Sequence, residues 1–475
     1  MNNRTPAAAM AVGAVMAVAL AGCATLPSAP PTRVAKGPEA YAATTSLAAP
    51  VADWPEDAWW TRYGDKQLDG LMARALAGSP TLAEARARVA KAVAVRAVVA
   101  GAESPSLSAN ASLQEMKQSY TGLIPKTFLP LGYQDYGQAT LNLNWDLDLW
   151  GKTRAAVAAA TSESLAASAE AAQARLMLTT DVASAYADLA RLKAERDVAV
   201  EAVRLREETA RLAGQRVDNG LDTQAELKQA QAGPPAARAN LAAIDEAIAQ
   251  TRDALAALAG DGPDAGLALT LPDPARLNAF GLPADVKAHL VGRRPDVVAA
   301  RWRAQAAGSR VAQARAAFYP DINIAAYVGQ QSLHVERLLE SGSAFGAVGP
   351  ALSLPIFEGG ALRGNLRGAR ADRDAAVAAY DSAVTRALRE VADVAASERA
   401  LAERRDQSRQ ALTFYEGAYR VARLRYEGGL STFQSVLLAE DAVLNQRRVV
   451  SDLDSRAFTL DIALVRALGG GFAAS

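Results

Sequence analysis

The chain has 475 residues but only one cysteine, Cys23, and two histidines, His289 and His334. An internal disulfide is therefore excluded, and the residues for a zinc constellation are lacking. Aromatic residues make up only 6 %, and the formal net charge is zero. A balanced charge leaves no basic footprint for nucleic acid. There is no nucleophile elbow. Gly360-Ala-Leu-Arg-Gly364 has glycine spacing without the Gly-Lys-Ser/Thr ending that cradles phosphate. No enzyme, no cofactor and no metal site are expected. Glycine and proline are also missing over long stretches. Neither occurs from Lys152 to Ala213, roughly 90 Å of helix at about 1.5 Å per residue. A second run, Ala369 to Glu427, is broken only by Gly417, and Leu430 to Leu468 is free of both.

What is present is a repeat. Ser79-Pro80 opens an apolar helical run that ends at Pro105, and Arg294-Pro295 opens a matching run that ends at Pro320. Leu147-Asp-Leu-Trp-Gly is matched by Leu354-Pro-Ile-Phe-Glu-Gly, and Arg216-Val-Asp-Asn-Gly-Leu by Arg425-Tyr-Glu-Gly-Gly-Leu. Each half reads helix, strands, long helix, glycine turn, helix. The expected divisions are 1–22 signal peptide, 23–52 tether, 53–260 first repeat, 261–293 linker, 294–468 second repeat and 469–475 tail. Helices this long without internal caps point to coiled-coil packing. Asn219-Gly220 and Gly428-Gly429 are helix-ending turns. Gly233-Pro234-Pro235 interrupts the first return helix, and a kink or break is expected there.

The N-terminus is an address. Arg4 precedes a small, apolar run ending in Leu20-Ala21-Gly22-Cys23. That order is a signal peptide, too short for a membrane span. Leu-Ala-Gly-Cys resembles the bacterial lipobox, in which the cysteine carries the lipid, so Cys23 is the expected lipid attachment site. Ala24 follows where an aspartate would resemble an inner-membrane retention signal, which points to the outer membrane. Residues 24 to 52 are rich in Ala, Pro, Ser and Thr and read as an extended tether.

Four segments read as strands. Thr140 to Trp150 alternates, with Leu141, Leu143, Trp145, Leu147 and Leu149 on one face and Thr140, Asn142, Asn144, Asp146 and Asp148 on the other. Its neighbours are expected at Ser106 to Met116, Asp321 to Gln331 and Gly349 to Phe357. Each has about the length of a tilted membrane strand. Trp150, Phe318, Tyr319 and Phe357 stand at strand ends, where interfacial aromatics belong. Four strands leave two open edges, which lipid does not tolerate, so chains must associate to close a barrel. Two chains would supply eight strands and three would supply twelve.

These motifs resemble the TolC-like outer-membrane factors, in particular the lipoprotein exit ducts of resistance-nodulation-division efflux pumps. The matching residues are Trp59-Trp60, Gln67-Leu-Asp-Gly-Leu71, Ser79-Pro80, Ala85-Arg-Ala-Arg-Val89, Leu147-Asp-Leu-Trp-Gly-Lys152, Arg294-Pro-Asp296, Ala314-Arg-Ala-Ala-Phe-Tyr-Pro320, Pro355-Ile-Phe-Glu-Gly-Gly360 and Arg425-Tyr-Glu-Gly-Gly-Leu430. They run in order along essentially the whole mature chain. The resemblance implies an α+β membrane protein that is a homotrimer. Its twelve-stranded transmembrane β-barrel would be continued by a coiled-coil periplasmic tunnel. It implies a periplasmic adaptor and an inner-membrane pump as partners, and passive conduction of small molecules such as drugs. An exit duct for protein secretion would share this architecture, and a periplasmic coiled-coil scaffold is the rival outside transport.

The resemblance also implies site residues. The turns that would meet the adaptor are Asn219, Gly220 and Leu221, and Gly428, Gly429 and Leu430 with Ser431 and Thr432. The family often closes its tunnel with aspartates just after the second turn. Here that position holds Leu438, with acids at Glu440 and Asp441, and these three are the candidate gate. Three copies of the acids would repel anions and attract cations. The alternative places them on the outer surface, paired with Arg447 or Arg448.

Overall fold

The computed structural model describes residues 32–123, 125–272 and 280–473. Cys23, the signal peptide and the start of the tether lie outside the described residues. The chain forms two compact units.

The first unit holds Val89–Ala167 and Ala300–Tyr380, with the described part of Met1–Ala35. Its centre is one antiparallel sheet in the order β1 (Ser106–Met116), β2 (Gln134–Asp146), β3 (Asp321–Leu333) and β4 (Ala344–Ser353). The register keeps each face uniform. Leu141 stands between Ala109 and Val328, and Ala326 faces Val348. On the other face, Asn142 stands between Ser108 and Tyr327. Period-two alternation in every strand makes this possible, because a slip of one residue would exchange the two faces. Two of the expected strands shift. β2 stops at Asp146 because Asp148 takes a positive φ of 38° and turns to cap a helix. Its carboxylate accepts from the backbone N–H groups of Thr153 and Arg154, both at 2.9 Å. β4 spans 344–353 rather than 349–357. Its last pair is Ser353 with Asp321, the first residue of β3, and Ile356 and Phe357 beyond it are exposed.

Six of the helices form three pairs of equal length. α1 (Lys66–Gly78) is followed by α2 (Pro80–Gly101), whose 22 residues match those of α7 (Pro295–Ala316). α3 (Lys152–Asp218) has 67 residues, as does α8 (Ala361–Glu427). The return helices α4 (Gln224–Ala259) and α9 (Phe433–Leu468) have 36 each. Between the halves lie α5 (Asp264–Leu267) and α6 (Val286–Arg293).

The second unit holds Lys36–Arg88, Ser168–Ala299 and Asp381–Ser475. Its core gathers Trp59, Trp60 and Tyr63 against Leu68, Leu71, Tyr186, Phe458 and Ile462. Tyr63 meets Phe458 edge-on with ring centres 4.8 Å apart. Arg294, from the Arg-Pro-Asp motif, is 5 % exposed. It donates to Asp296 at 2.7 Å, to Glu390 at 2.6 Å and to the Ala467 carbonyl at 3.2 Å, tying the entry of α7 to α8 and to the end of α9. Acceptors on three sides meet this buried cation, as burial of a charge requires.

Of the kink or break expected at Gly233-Pro234-Pro235, the break does not occur. α4 is helical from Gln224 to Ala259 with both prolines inside. Proline's fixed φ suits a helix, but it loses an N–H, crowds the carbonyl of the preceding turn and also crowds the Cβ of the residue before it. Before Pro234 that residue is Gly233, which has none. Pro234 is itself buried, so packing offsets the two lost N–H donors.

Candidate functional site

Two surfaces carry the candidate function. The first is the apolar face of the sheet. Leu107, Leu113, Val328 and Val348 are 60 to 76 % exposed, and Leu141 and Leu352 about half exposed. β1 and β4 each pair along one side only among the described residues. An apolar face with a polar reverse and two free edges is stable in water only if covered. Among the described residues, no helix is long and apolar enough to cross a membrane. At one end of the sheet, Trp150 stacks on Tyr319 with ring centres 4.9 Å apart and donates to the Pro320 carbonyl at 2.8 Å. Phe357 is 89 % exposed. Phe318 differs from the expectation of an outward aromatic. It is 2 % exposed and fills the protein interior, because Ala316–Pro320 turns out of α7 and buries alternate residues.

The second surface is the pair of helical turns. Both close by the same double bond pattern. The Leu221 N–H donates to the Arg216 carbonyl at 2.8 Å and Gly220 N–H to Val217 at 2.9 Å. Leu430 N–H donates to Arg425 at 2.7 Å and Gly429 N–H to Tyr426 at 3.0 Å. This is the Schellman closure, and it requires a left-handed residue. Gly220 has φ 70° and Gly429 has φ 74°. Replacing either with valine is expected to cost about 1–2 kcal/mol and to show as faster proteolytic nicking at that turn. Thr223 then starts α4 with a reciprocal capping box to Glu226, while Thr432 starts α9 with its hydroxyl 3.1 Å from Ser435. Asn219 donates to the Gln215 carbonyl at 2.6 Å. Gly428 and Ser431 complete the second turn. Leu221 and Leu430 are 62 % and 73 % exposed, although a leucine at this position often folds back on its own helix.

The turns are locked to each other by residues not singled out from sequence. Arg216 pairs with Asp222 at 2.9 Å and donates to the Tyr426 carbonyl at 2.7 Å. Its guanidinium lies 4.4 Å from the Tyr426 ring centre, and the Tyr426 hydroxyl donates to Asp222. Burial, first, and the Asp222 carboxylate push that hydroxyl well above the usual tyrosine range, so it remains a donor. Tyr426 and Phe433 then pack with Ala213, Ala230 and Val436 as a small core behind the turns. A signal for this did exist. Aligning the two turn sequences sets Val217 against Tyr426 and Asp222 against Ser431, so two positions that break the repeat are among those in contact.

The three candidate gate residues separate. Leu438 is 61 % exposed. Asp441 is paired with Arg206 from α3, not with Arg447, which pairs with Glu416 at 2.8 Å. Glu440 does not face solvent at all. It is 0 % exposed and accepts from the Thr209 hydroxyl at 2.6 Å. The reason is helical spacing: Phe433, Val436, Glu440 and Val443 form one buried stripe of α9.

Comparison with known proteins agrees with this architecture. The profile of the outer membrane efflux protein family matches the chain twice, over residues 71–261 and 289–470. The chain is 34 % identical over 440 residues to the multidrug resistance outer membrane protein MdtP of Shigella flexneri, covering 89 % of this chain and 88 % of that one. It is 38 % identical over 366 residues to the fusaric acid resistance protein FusA of Burkholderia cepacia, covering 75 % and 69 %. The crystal structure of the outer membrane protein VceC of Vibrio cholerae superposes with a TM-score of 0.84 at 43 % identity, covering 88 % of this chain and all of that one. The chain thus has the fold of a TolC-like outer-membrane channel. It belongs to the outer membrane efflux protein family and is an outer-membrane transport protein.

Proposed function

We propose that the chain is one third of a trimeric exit duct, and that its two halves are a tandem duplication. Three sheets would join edge to edge as a twelve-stranded barrel, with the apolar faces toward lipid and the Asn-, Ser- and Gln-bearing faces lining a wet lumen. The observation that carries this is the sheet itself, with an apolar and a polar face and a free edge on β1 and on β4. The hairpins α3–α4 and α8–α9 would continue the passage through the periplasm. The exposed leucines at the turns, Leu221 and Leu430, suit docking of a periplasmic adaptor that joins the duct to an inner-membrane pump. Cys23 would carry the outer-membrane lipid. The duct conducts passively, catalyses nothing and needs no cofactor. Relatives named for multidrug and fusaric acid resistance support small organic toxicants as cargo.

Deletion of the gene in its own host, followed by a panel of drugs, dyes and aromatic acids, tests this. Sensitisation to several members, reversed by the intact chain, is expected. Unchanged tolerance across the panel, with the adaptor and pump present, would overturn the efflux reading.

A further inference from the structure

Two irregularities of the repeat, far apart in sequence, meet in space. Gly233-Pro234-Pro235 occurs only in the first return helix, and Glu440-Asp441 follow only the second turn. Arg206 of α3 joins them. A Cβ placed on Gly233 would lie 3.0 Å from Arg206 Cδ and 3.6 Å from its Cβ. The aliphatic stem of Arg206 therefore rests in the space where any other residue of α4 would carry a side chain. From there its guanidinium reaches α9, pairing with Asp441 and standing 3.2 Å from Glu440 Oε1. That contact supplies charge but is not aligned as a hydrogen bond. Oε1 has no hydrogen-bond donor among the described residues, while Oε2 accepts from Thr209.

We infer that Arg206, Thr209 and Glu440 form a proton-sensitive clasp between the first hairpin and α9, with Gly233 kept small so that Arg206 can pass. The groups facing Glu440 come from three helices. α3 brings Arg206 and Thr209, α8 brings Tyr419 and Arg423, and α9 brings Asp441. Burial is the largest influence and pushes the Glu440 carboxyl upward. Thr209, Arg206 and Arg423 pull it down and Asp441 pushes it up, and the balance remains above the ordinary glutamate value. A carboxyl raised in the packed state holds that state most firmly when protonated. The contribution is complete below the ordinary glutamate pKa of about 4.3 and is lost as pH rises through the raised value. Acid therefore tightens the clasp, and deprotonation leaves a buried carboxylate with one unmet oxygen, which favours separation of α9 from α3.

Hydrogen exchange of the assembled full-length protein, corrected for intrinsic rates, measures this directly. As pH is raised from the ordinary glutamate value of about 4.3, protection of peptides covering 200–212 and 433–446 is expected to fall, by up to about tenfold per pH unit, the limit for one proton. Glu440→Gln mimics the protonated form and is expected to remove that dependence and keep the acid-level protection. Gly233→Ala, which displaces the Arg206 stem, is expected to lower protection in both peptides at every pH. Wild-type protection that does not vary with pH overturns the proposal without reference to any variant, as does a Glu440→Gln protein that keeps the wild-type dependence. Neither outcome depends on transport, so both are separable from the fate of the efflux reading.

Discussion

Arginine in place of Leu141 is expected to block barrel assembly, whereas arginine in place of Asn142 is expected to leave it standing. The two residues are neighbours in the middle of β2 and differ only in the face they occupy. Leu141 sits between Ala109 and Val328, about half exposed on the apolar side, and Asn142 sits between Ser108 and Tyr327 on the polar side. In a bilayer a basic residue on the outward face near the midplane costs about 2–4 kcal/mol, while a lumen residue chiefly tunes selectivity. In the proposed trimeric barrel, the penalty would recur at three points of one ring. Outer-membrane fractionation and resistance to urea extraction read the difference. Equal recovery of both variants would mean that the apolar face is not turned to lipid. For Asn142→Arg, single-channel recording is expected to show reduced cation preference with the trimer intact.

The second large effect is expected at the turns. Arg216→Ala removes the cation that pairs with the Asp222 carboxylate. The side chains of the pair are 11 % and 8 % exposed. Losing one member of such a pair strands the other, and the expected loss is up to about 3 kcal/mol, toward the lower end for a buried pair because the turns lie close to solvent. The Tyr426 ring would lose its stacked cation as well. Replacing both partners, as Arg216→Met with Asp222→Leu, is expected to restore much of that loss, since no charge is then left buried. Hydrogen exchange across 213–226 and 424–436 would follow it. A double variant as loose as Arg216→Ala would assign the stability to packing on Tyr426 and not to the ion pair.

Much of this molecule is legible in the sequence because its signals are local. The absence of glycine and proline over Lys152 to Ala213 marks a helix without needing any neighbour, and the 67-residue α3 contains that whole stretch. Alternation in Thr140–Asp146 gives both faces of β2, since side-chain direction depends on the backbone period alone. The glycine turns are equally local. Strand ends are harder, because Leu354 and Ile356 continue the alternation across Pro355, yet β4 ends at Ser353 opposite Asp321, the first residue of β3. Gly233-Pro234-Pro235 misleads for a related reason. Proline's cost is a local rule, whereas the burial of Pro234 and the closeness of Arg206 to Gly233 are tertiary.

The charged residues divide in the same way. That Glu440 lies on one stripe with Val436 and Val443 can be counted along the helix, yet a lone glutamate in a charge-laced helix is ordinarily solvated. Its burial depends on Arg206 and Thr209, more than two hundred residues away in the chain. The same holds for Asp222 and Tyr426, each an ordinary turn residue until the other turn is placed beside it.

Sequence alone therefore settles the repeated order of elements, the two-faced strands, the turn closures and membership in a family of outer-membrane channels. Each of these follows from backbone period, from the special conformations of glycine and proline, or from motifs in order. Which polar residues are partners depends on the tertiary structure. Folding joins Arg216 to Asp222 and Tyr426, carries Arg206 past Gly233 to Glu440 and Asp441, and turns Phe318 inward. The physical reason is that a charge or hydroxyl takes its role from what lies within about 3 Å of it, and for Glu440, Asp441 and Tyr426 those neighbours come from the other half.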